Sequence, residues 1–300
     1  MHPELKLDPK IIYLNHAAVA PWPKRTQEAV AAFAQENLIQ GASHYPRWSL
    51  EQKRLRERAA AFLNAESPRE IALVKNTSEA ISFVASGLQW QPGDNVVGTA
   101  EEFPSNRIPW EALASQGVEY RASDISGSDP EAAILANVDS KTRLLAVSSV
   151  QYASGLRLNL EKLGAACHQR GILFMVDAIQ SLGAFPMDVR AIQADFVMAD
   201  GHKWLLAPEG LGIFYIAERM IESIQLDKCT GCGVCDAVCP ADVIHMEAVP
   251  VASEMAGLRQ TKLLPAIKFR EHCITCFSCE IFCPEKIVDV HPSVKNRPRP

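Results

Sequence analysis

Between residues 71 and 216 short apolar runs alternate with amphipathic stretches. The runs at 71–74, 95–99, 118–121, 143–148, 172–176, 196–199 and 212–216 are four to six residues long and predict strands. Helical periodicity fills 78–87, 106–116, 130–137 and 160–170. The strand runs are apolar at successive positions, so both faces of the sheet are buried. Strands alternating with helices in this way predict an α/β fold with a mostly parallel sheet covered on both sides. Upstream, the patterns around 29–34 and 50–57 predict two long amphipathic helices. Residues 217–225 predict one more, with Met220, Ile221 and Ile224 on one side.

At residues 224–228 this texture ends. Gly, Cys and Pro become dense and helical periodicity stops, which predicts a front module over 1–225 and a back module over 226–290. Residues 291–300 hold three prolines and three Lys or Arg and predict a disordered tail. Within the back module, 243–246 and 267–269 predict short strands, and 247–265 reads as a solvated loop.

The net charge of −5 argues against a nucleic-acid partner. Residues 226–300 have 9 Lys+Arg against 9 Asp+Glu, leaving 21 against 26 in the front module. No apolar run reaches the roughly 20 residues of a membrane helix, and the first residues lack the layout of a signal peptide. The expected location is the cytoplasm. Eight of the nine cysteines fall after residue 228, in two runs of one spacing. Following a large α/β region, they predict metal ligation in a reducing compartment rather than disulfides.

Two residues of the front module point to chemistry. In a parallel sheet, ligand-binding groups collect at the carboxyl ends of strands. Asp177 follows the strand at 172–176 and Lys203 follows the strand at 196–199, so both belong to one sheet edge. Alone, Asp177 reads as a helix cap and His202-Lys203 as a polar loop. Together they suit an aldehyde cofactor, with the lysine as amine and the aspartate keeping a pyridine nitrogen protonated. Asn76-Thr77-Ser78-Glu79 opens the helix after strand 71–74. Asn76 and Glu79 resemble a capping box, and the amides of that first turn suit a phosphate.

Residues 11 to about 224 resemble the class V aminotransferase family, which includes cysteine desulfurases and isopenicillin-N-epimerase-like proteins. The resemblance rests on Tyr13-Leu14-Asn15-His16-Ala17-Ala18, Asn76-Thr77-Ser78-Glu79-Ala80, Glu102-Phe103-Pro104-Ser105-Asn106, Val150-Gln151-Tyr152-Ala153-Ser154-Gly155, Val176-Asp177-Ala178-Ile179-Gln180 and Asp200-Gly201-His202-Lys203-Trp204. It implies the fold-type-I architecture of pyridoxal-phosphate (PLP) enzymes. Lys203 would be the Schiff-base lysine and Asp177 the pyridine-nitrogen partner. Gln180 would contact the ring hydroxyl, and Thr77, Ser78 and His202 would hold the phosphate beside Asn76. Phe103 would cover the ring where desulfurases usually have histidine. Family members complete one another's sites across a subunit boundary, so a homodimer through this module is implied. Two departures point away from desulfuration, toward the epimerase- or transaminase-like branch. Phe103 removes an acid/base group. The only front-module cysteine, Cys167, lies inside a predicted helix rather than on a mobile loop. Family members also continue past residue 216 into a small domain with a substrate-carboxylate arginine, whereas here the cysteine runs begin. The substrate side is therefore expected to be absent.

The back module has Cys229-x2-Cys232-x2-Cys235-x3-Cys239-Pro240 and Cys273-x2-Cys276-x2-Cys279-x3-Cys283-Pro284. Zinc sites pair Cys-x2-Cys units and need no fourth cysteine before proline. These runs resemble bacterial-type dicluster ferredoxins, which implies two [4Fe–4S] clusters in a small α+β domain. The fourth cysteine of each run would serve the other cluster, giving Cys229, Cys232, Cys235 and Cys283 for one and Cys273, Cys276, Cys279 and Cys239 for the other. The first function expected is electron transfer with a redox partner protein, fused to a PLP-binding module. Two others stand beside it: a PLP enzyme acting on an amino acid with a partner supplying the substrate side, and a fusion whose front module is a vestigial scaffold.

Overall fold

The computed structural model describes residues 3–220 and the strand segments 223–224, 244–251, 260–267 and 288–289. All eight cysteines of the paired runs lie outside the described residues, as does the tail 291–300. By compactness the chain divides after Ile216, with Ser86–Gln89 grouped with the second unit.

The first unit is an α/β sheet of seven strands in the order β1-β7-β6-β5-β4-β2-β3. These are β1 (Ile71–Val74), β2 (Asn95–Thr99), β3 (Glu119–Ser123), β4 (Thr142–Ser148), β5 (Leu173–Asp177), β6 (Phe196–Asp200) and β7 (Gly212–Ile216). β3, β2, β4, β5 and β6 run parallel, and β7 is antiparallel to both of its neighbours. β5 and β6 are buried along their length, and β4 at every position but Arg143, as their apolar runs require. Register sets Ser148 beside Asp177 and Asp177 beside Met198, so the carboxyl ends of β4, β5 and β6 form one polar edge.

The helices are α1 (Lys24–Gln40), α2 (Tyr45–Leu63), α3 (Thr77–Gly87), α4 (Ile108–Glu111), α5 (Pro130–Ala136) and α6 (Leu160–Arg170). α6 matches its predicted limits. Asn159 caps it through the Lys162 amide at 3.0 Å, and Gly171 ends it at φ 69°. α2 buries Arg56, Ala59, Ala60 and Leu63. α1 buries nothing, and its Phe33, Leu38 and Ile39 are exposed.

Three expectations fail. The helix predicted at 106–116 is broken into 3-10, α and 3-10 segments. Asn106 is drawn into the core, where it donates to Glu102 and accepts from the Trp110 indole, and Pro109 has no amide to give. The helix predicted at 217–225 is a 3-10 turn, Glu218–Met220, followed by β8 (Ser223–Ile224), which pairs antiparallel with β11 (Val288–Asp289). The loop predicted at 247–265 is largely a ladder. β9 (Ile244–Val251) and β10 (Gln260–Ile267) pair antiparallel from Ile244↔Ile267 to Val251↔Gln260. Among the described residues each strand of this pair has one partner, and an edge strand tolerates proline such as Pro250 and Pro265.

No helix among the described residues is long and apolar enough to cross a membrane.

Candidate cofactor site

Asp177 is the last residue of β5, 1% exposed, and its Oδ1 accepts the Ile179 amide at 3.1 Å. Burial pushes its carboxyl up to about 7, and Glu102 and Asp200 add to the rise. The Ile179 amide and Lys203 act the other way. Lys203 lies three residues past the end of β6. Burial lowers its ammonium below the usual lysine value, against the pull of Asp177 and Asp200. A carboxyl that keeps its proton more readily and an amine that gives one up more readily thus share one sheet edge.

α3 begins at Thr77, with Asn76 as its cap. Asn76 Oδ1 accepts the Glu79 amide at 2.8 Å, and Glu79 Oε2 accepts the Lys75 amide at 2.7 Å. The box is therefore displaced by one residue, and the Asn76 side chain is engaged within its own helix. Thr77 is buried and Ser78 exposed. The Thr77 amide donates to Asp200, whose Oδ2 is 3.8 Å from His202 Nδ1. Gln180 is buried and donates to the Ala17 carbonyl at 3.0 Å. The N-terminal segment is held over the loop after β6. Ala20 donates to the His202 carbonyl at 2.8 Å, and the His16 ring stacks on Trp204 at 5.3 Å. Phe103 is 48% exposed and meets Tyr152 edge-on at 5.1 Å.

Sequence reasoning passed over Glu102. It is buried and accepts from Ser148 N (2.8 Å), Ser148 Oγ (2.5 Å), Asn106 Nδ2 (3.0 Å), Thr99 Oγ1 (3.2 Å) and Gln151 Nε2 (3.3 Å). It ties the loop after β2 to the end of β4. Gln151 is 1% exposed, and its amide nitrogen faces Glu102, which can only accept. Its Oε1 has no hydrogen-bond partner among the described residues, and neither does the buried Trp204 Nε1. The signal was the Glu102 motif itself, but the web it anchors spans up to 49 residues of sequence.

A buried carboxylate, a depressed amine and orphaned buried polar atoms fit a polar aromatic cofactor with an aldehyde. The fold and this edge together define a PLP-type module. Residues 12–254 match the family Aminotransferase class-V, and the chain belongs to that family. Residues 228–288 match the 4Fe-4S dicluster domain. The two matches overlap from 228 to 254. The chain is 39% identical over 210 residues to a probable cysteine desulfurase of Methanothermobacter thermautotrophicus, covering 68% of this chain and 52% of that one. It is 31% identical to a cysteine desulfurase of Escherichia coli, covering 71% and 55%. The chain thus spans about half the length of the curated relatives it matches. Among solved structures, the apo cysteine desulfurase of Thermococcus onnurineus aligns at a TM-score of 0.61 and 24% identity, covering 90% of this chain and 66% of that one. The Escherichia coli cysteine desulfurase CsdA aligns at 0.64 and 22%, covering 90% and 68%. These likenesses support the fold. Both curated relatives bear desulfurase names, whereas the sequence leans toward an epimerase- or transaminase-like branch.

Cys167 is buried in α6, and burial pushes its thiol up to about 12. Such a thiol is a packing residue. Among the described residues no cluster of His, Cys, Asp or Glu could hold a metal ion.

Proposed function

We propose that residues 1–225 hold PLP, with Lys203 as its point of attachment, and that residues 226–290 carry two [4Fe–4S] clusters that exchange electrons with a redox partner protein. The observation behind the first half is the pair Asp177 and Lys203 on one sheet edge. Burying Asp177 costs the fold stability, and among the described residues Lys203 is the cation that pulls on its carboxyl. A protonated ring nitrogen would offset that cost. This favours a working cofactor site over a vestigial scaffold.

Bound there, PLP supplies an electron sink for breaking a bond at the α-carbon of an amino acid. The chain's own residues have simpler tasks. Asp177 accepts the ring N–H. Gln180 would contact the ring hydroxyl, and Phe103 would cover one ring face. Thr77, Ser78 and His202 take the phosphate, and Asn76 shapes their loop as the α3 cap. Lys203, once deprotonated, offers the free amine. The desulfurase names of the relatives make a sulfur-containing amino acid the first substrate class to try, although Cys167 is too buried to accept sulfur. Pairing of two copies through the front module is proposed on the family resemblance, and a cytoplasmic setting on the cysteine usage.

The second half rests on the two cysteine runs, Cys229, Cys232, Cys235 and Cys239, then Cys273, Cys276, Cys279 and Cys283. An ultraviolet–visible spectrum of anaerobically purified protein reports both cofactors, and dithionite should bleach the cluster absorbance. Borohydride reduction of the PLP-saturated protein followed by peptide mapping should find the adduct on Lys203 and none in Lys203→Ala. A folded, saturated protein without label on Lys203 sinks the cofactor assignment.

A further inference from the structure

The phosphate end of the site contains a carboxylate where an anion is meant to bind. Asp200 ends β6 and is 6% exposed. It accepts the amide of Thr77, the first residue of α3, and lies 3.8 Å from His202 Nδ1. Amides at a helix start attract phosphate because they are free and point outward. Here the Thr77 amide is taken by Asp200 and the Glu79 amide by the Asn76 side chain. An arriving phosphate therefore meets a carboxylate at the point of highest helix potential.

The surrounding charges do not make up the difference. Asp200 is influenced by His202 and Lys203 on its own loop and by Glu209 further along it. Across β5, Asp177 shares Lys203 with it, and Glu102 acts on Asp177 from the loop after β2. Lys203 thus already faces two buried carboxylates before any phosphate arrives, and a phosphate ester is largely a dianion above pH 7.

We propose that Asp200 sets the phosphate affinity of this cradle: the phosphate ester enters together with one proton, which Asp200 takes up. This rests on the cofactor reading above. The proton comes from solvent and no covalent bond changes. A protonated carboxyl has one O–H to donate to a phosphate oxygen while its other oxygen keeps the Thr77 amide. Burial already raises the Asp200 carboxyl, against His202, the Thr77 amide and Lys203. A nearby phosphate raises it further.

The probe is pyridoxine 5′-phosphate, which has no aldehyde and cannot react with Lys203, compared with unphosphorylated pyridoxine. Each is titrated calorimetrically into the full-length protein from pH 6.5 to 8.5, in phosphate-free buffers of different ionisation enthalpy. Proton movement at the ring nitrogen and Asp177 is common to both ligands, so their difference isolates the phosphate end. The expected difference is about one proton taken up, with the phosphate ester losing affinity by up to about tenfold per pH unit relative to pyridoxine. Asp200→Asn, which still accepts the Thr77 amide, should abolish this difference and bind the ester at least about tenfold more tightly at pH 8.5. Asp200→Ser should do the same. Equal proton uptake for both ligands in the wild type overturns the inference without any variant, as does uptake that survives in folded Asp200→Asn. Failure of both the ester and PLP to bind any variant overturns the cofactor reading, and this inference with it.

Discussion

In the cofactor-free protein, Asp177→Asn should raise stability at alkaline pH. The native carboxyl sits at about 7 against an ordinary 3.8, a rise of about three units. Each unit is worth about 1.36 kcal/mol, so full ionisation costs the fold about 4 kcal/mol. The sign follows from proton binding. Between pH 4 and 7 the native state keeps a proton that the unfolded chain has released. The contribution of Asp177 is whole below pH 4 and is lost as pH rises through 7. Roughly 3 kcal/mol of the loss falls between pH 5 and 8.5. The asparagine side chain would not ionise and would still accept the Ile179 amide through its carbonyl. All five tryptophans (22, 48, 90, 110 and 204) precede residue 205, so their fluorescence follows the front module in urea. The difference in unfolding free energy between variant and wild type should therefore grow in favour of the variant by roughly 3 kcal/mol from pH 5 to 8.5. With PLP present the variant's advantage should shrink. Loss of a hydrogen bond to a charged group costs about 1.5–3 kcal/mol, or at least about tenfold in affinity. Parallel stabilities of the two proteins across this range, or a variant less stable at pH 8.5, would refute the argument.

Two further outcomes are expected. Gly183 has φ 104°, and an added Cβ would stand 2.3 Å from the Trp204 carbonyl oxygen. Gly183→Ala should therefore displace the loop beside Lys203, cost about 1–3 kcal/mol in urea and weaken PLP binding in a spectroscopic titration. Anaerobic protein should contain about eight irons per chain, and Cys239→Ala should damage the cluster bound by Cys273, Cys276 and Cys279. About four irons, or zinc in their place, would count against two clusters, and loss confined to the other cluster in electron paramagnetic resonance against the cross-ligation.

Much of this protein was legible locally. β4, β5 and β6 are buried on both faces, so their residues form unbroken apolar runs that a short window detects. Asn159 and Gly171 mark α6 because caps depend on immediate neighbours. A parallel strand puts its carboxyl end at the binding edge, so Asp177 and Lys203 could be paired without knowing the sheet order. The cysteine spacing is equally local, and both runs fall within the stretch that matches the 4Fe-4S dicluster domain.

What only the tertiary structure decided lies wherever distant segments compete for one group. Asn106 leaves a regular helix because Glu102, itself held by Ser148 of β4, accepts its side-chain amide, while its oxygen accepts from the Trp110 indole. Ser223 and Ile224 are extended because they pair with Asp289 and Val288, far along the chain. Asp200 was visible as part of a motif, but that it occupies the Thr77 amide depends on β6 ending beside the start of α3. Hydrogen-bond donors and acceptors are satisfied by whatever the fold brings within about 3 Å, and a sequence window does not contain those partners.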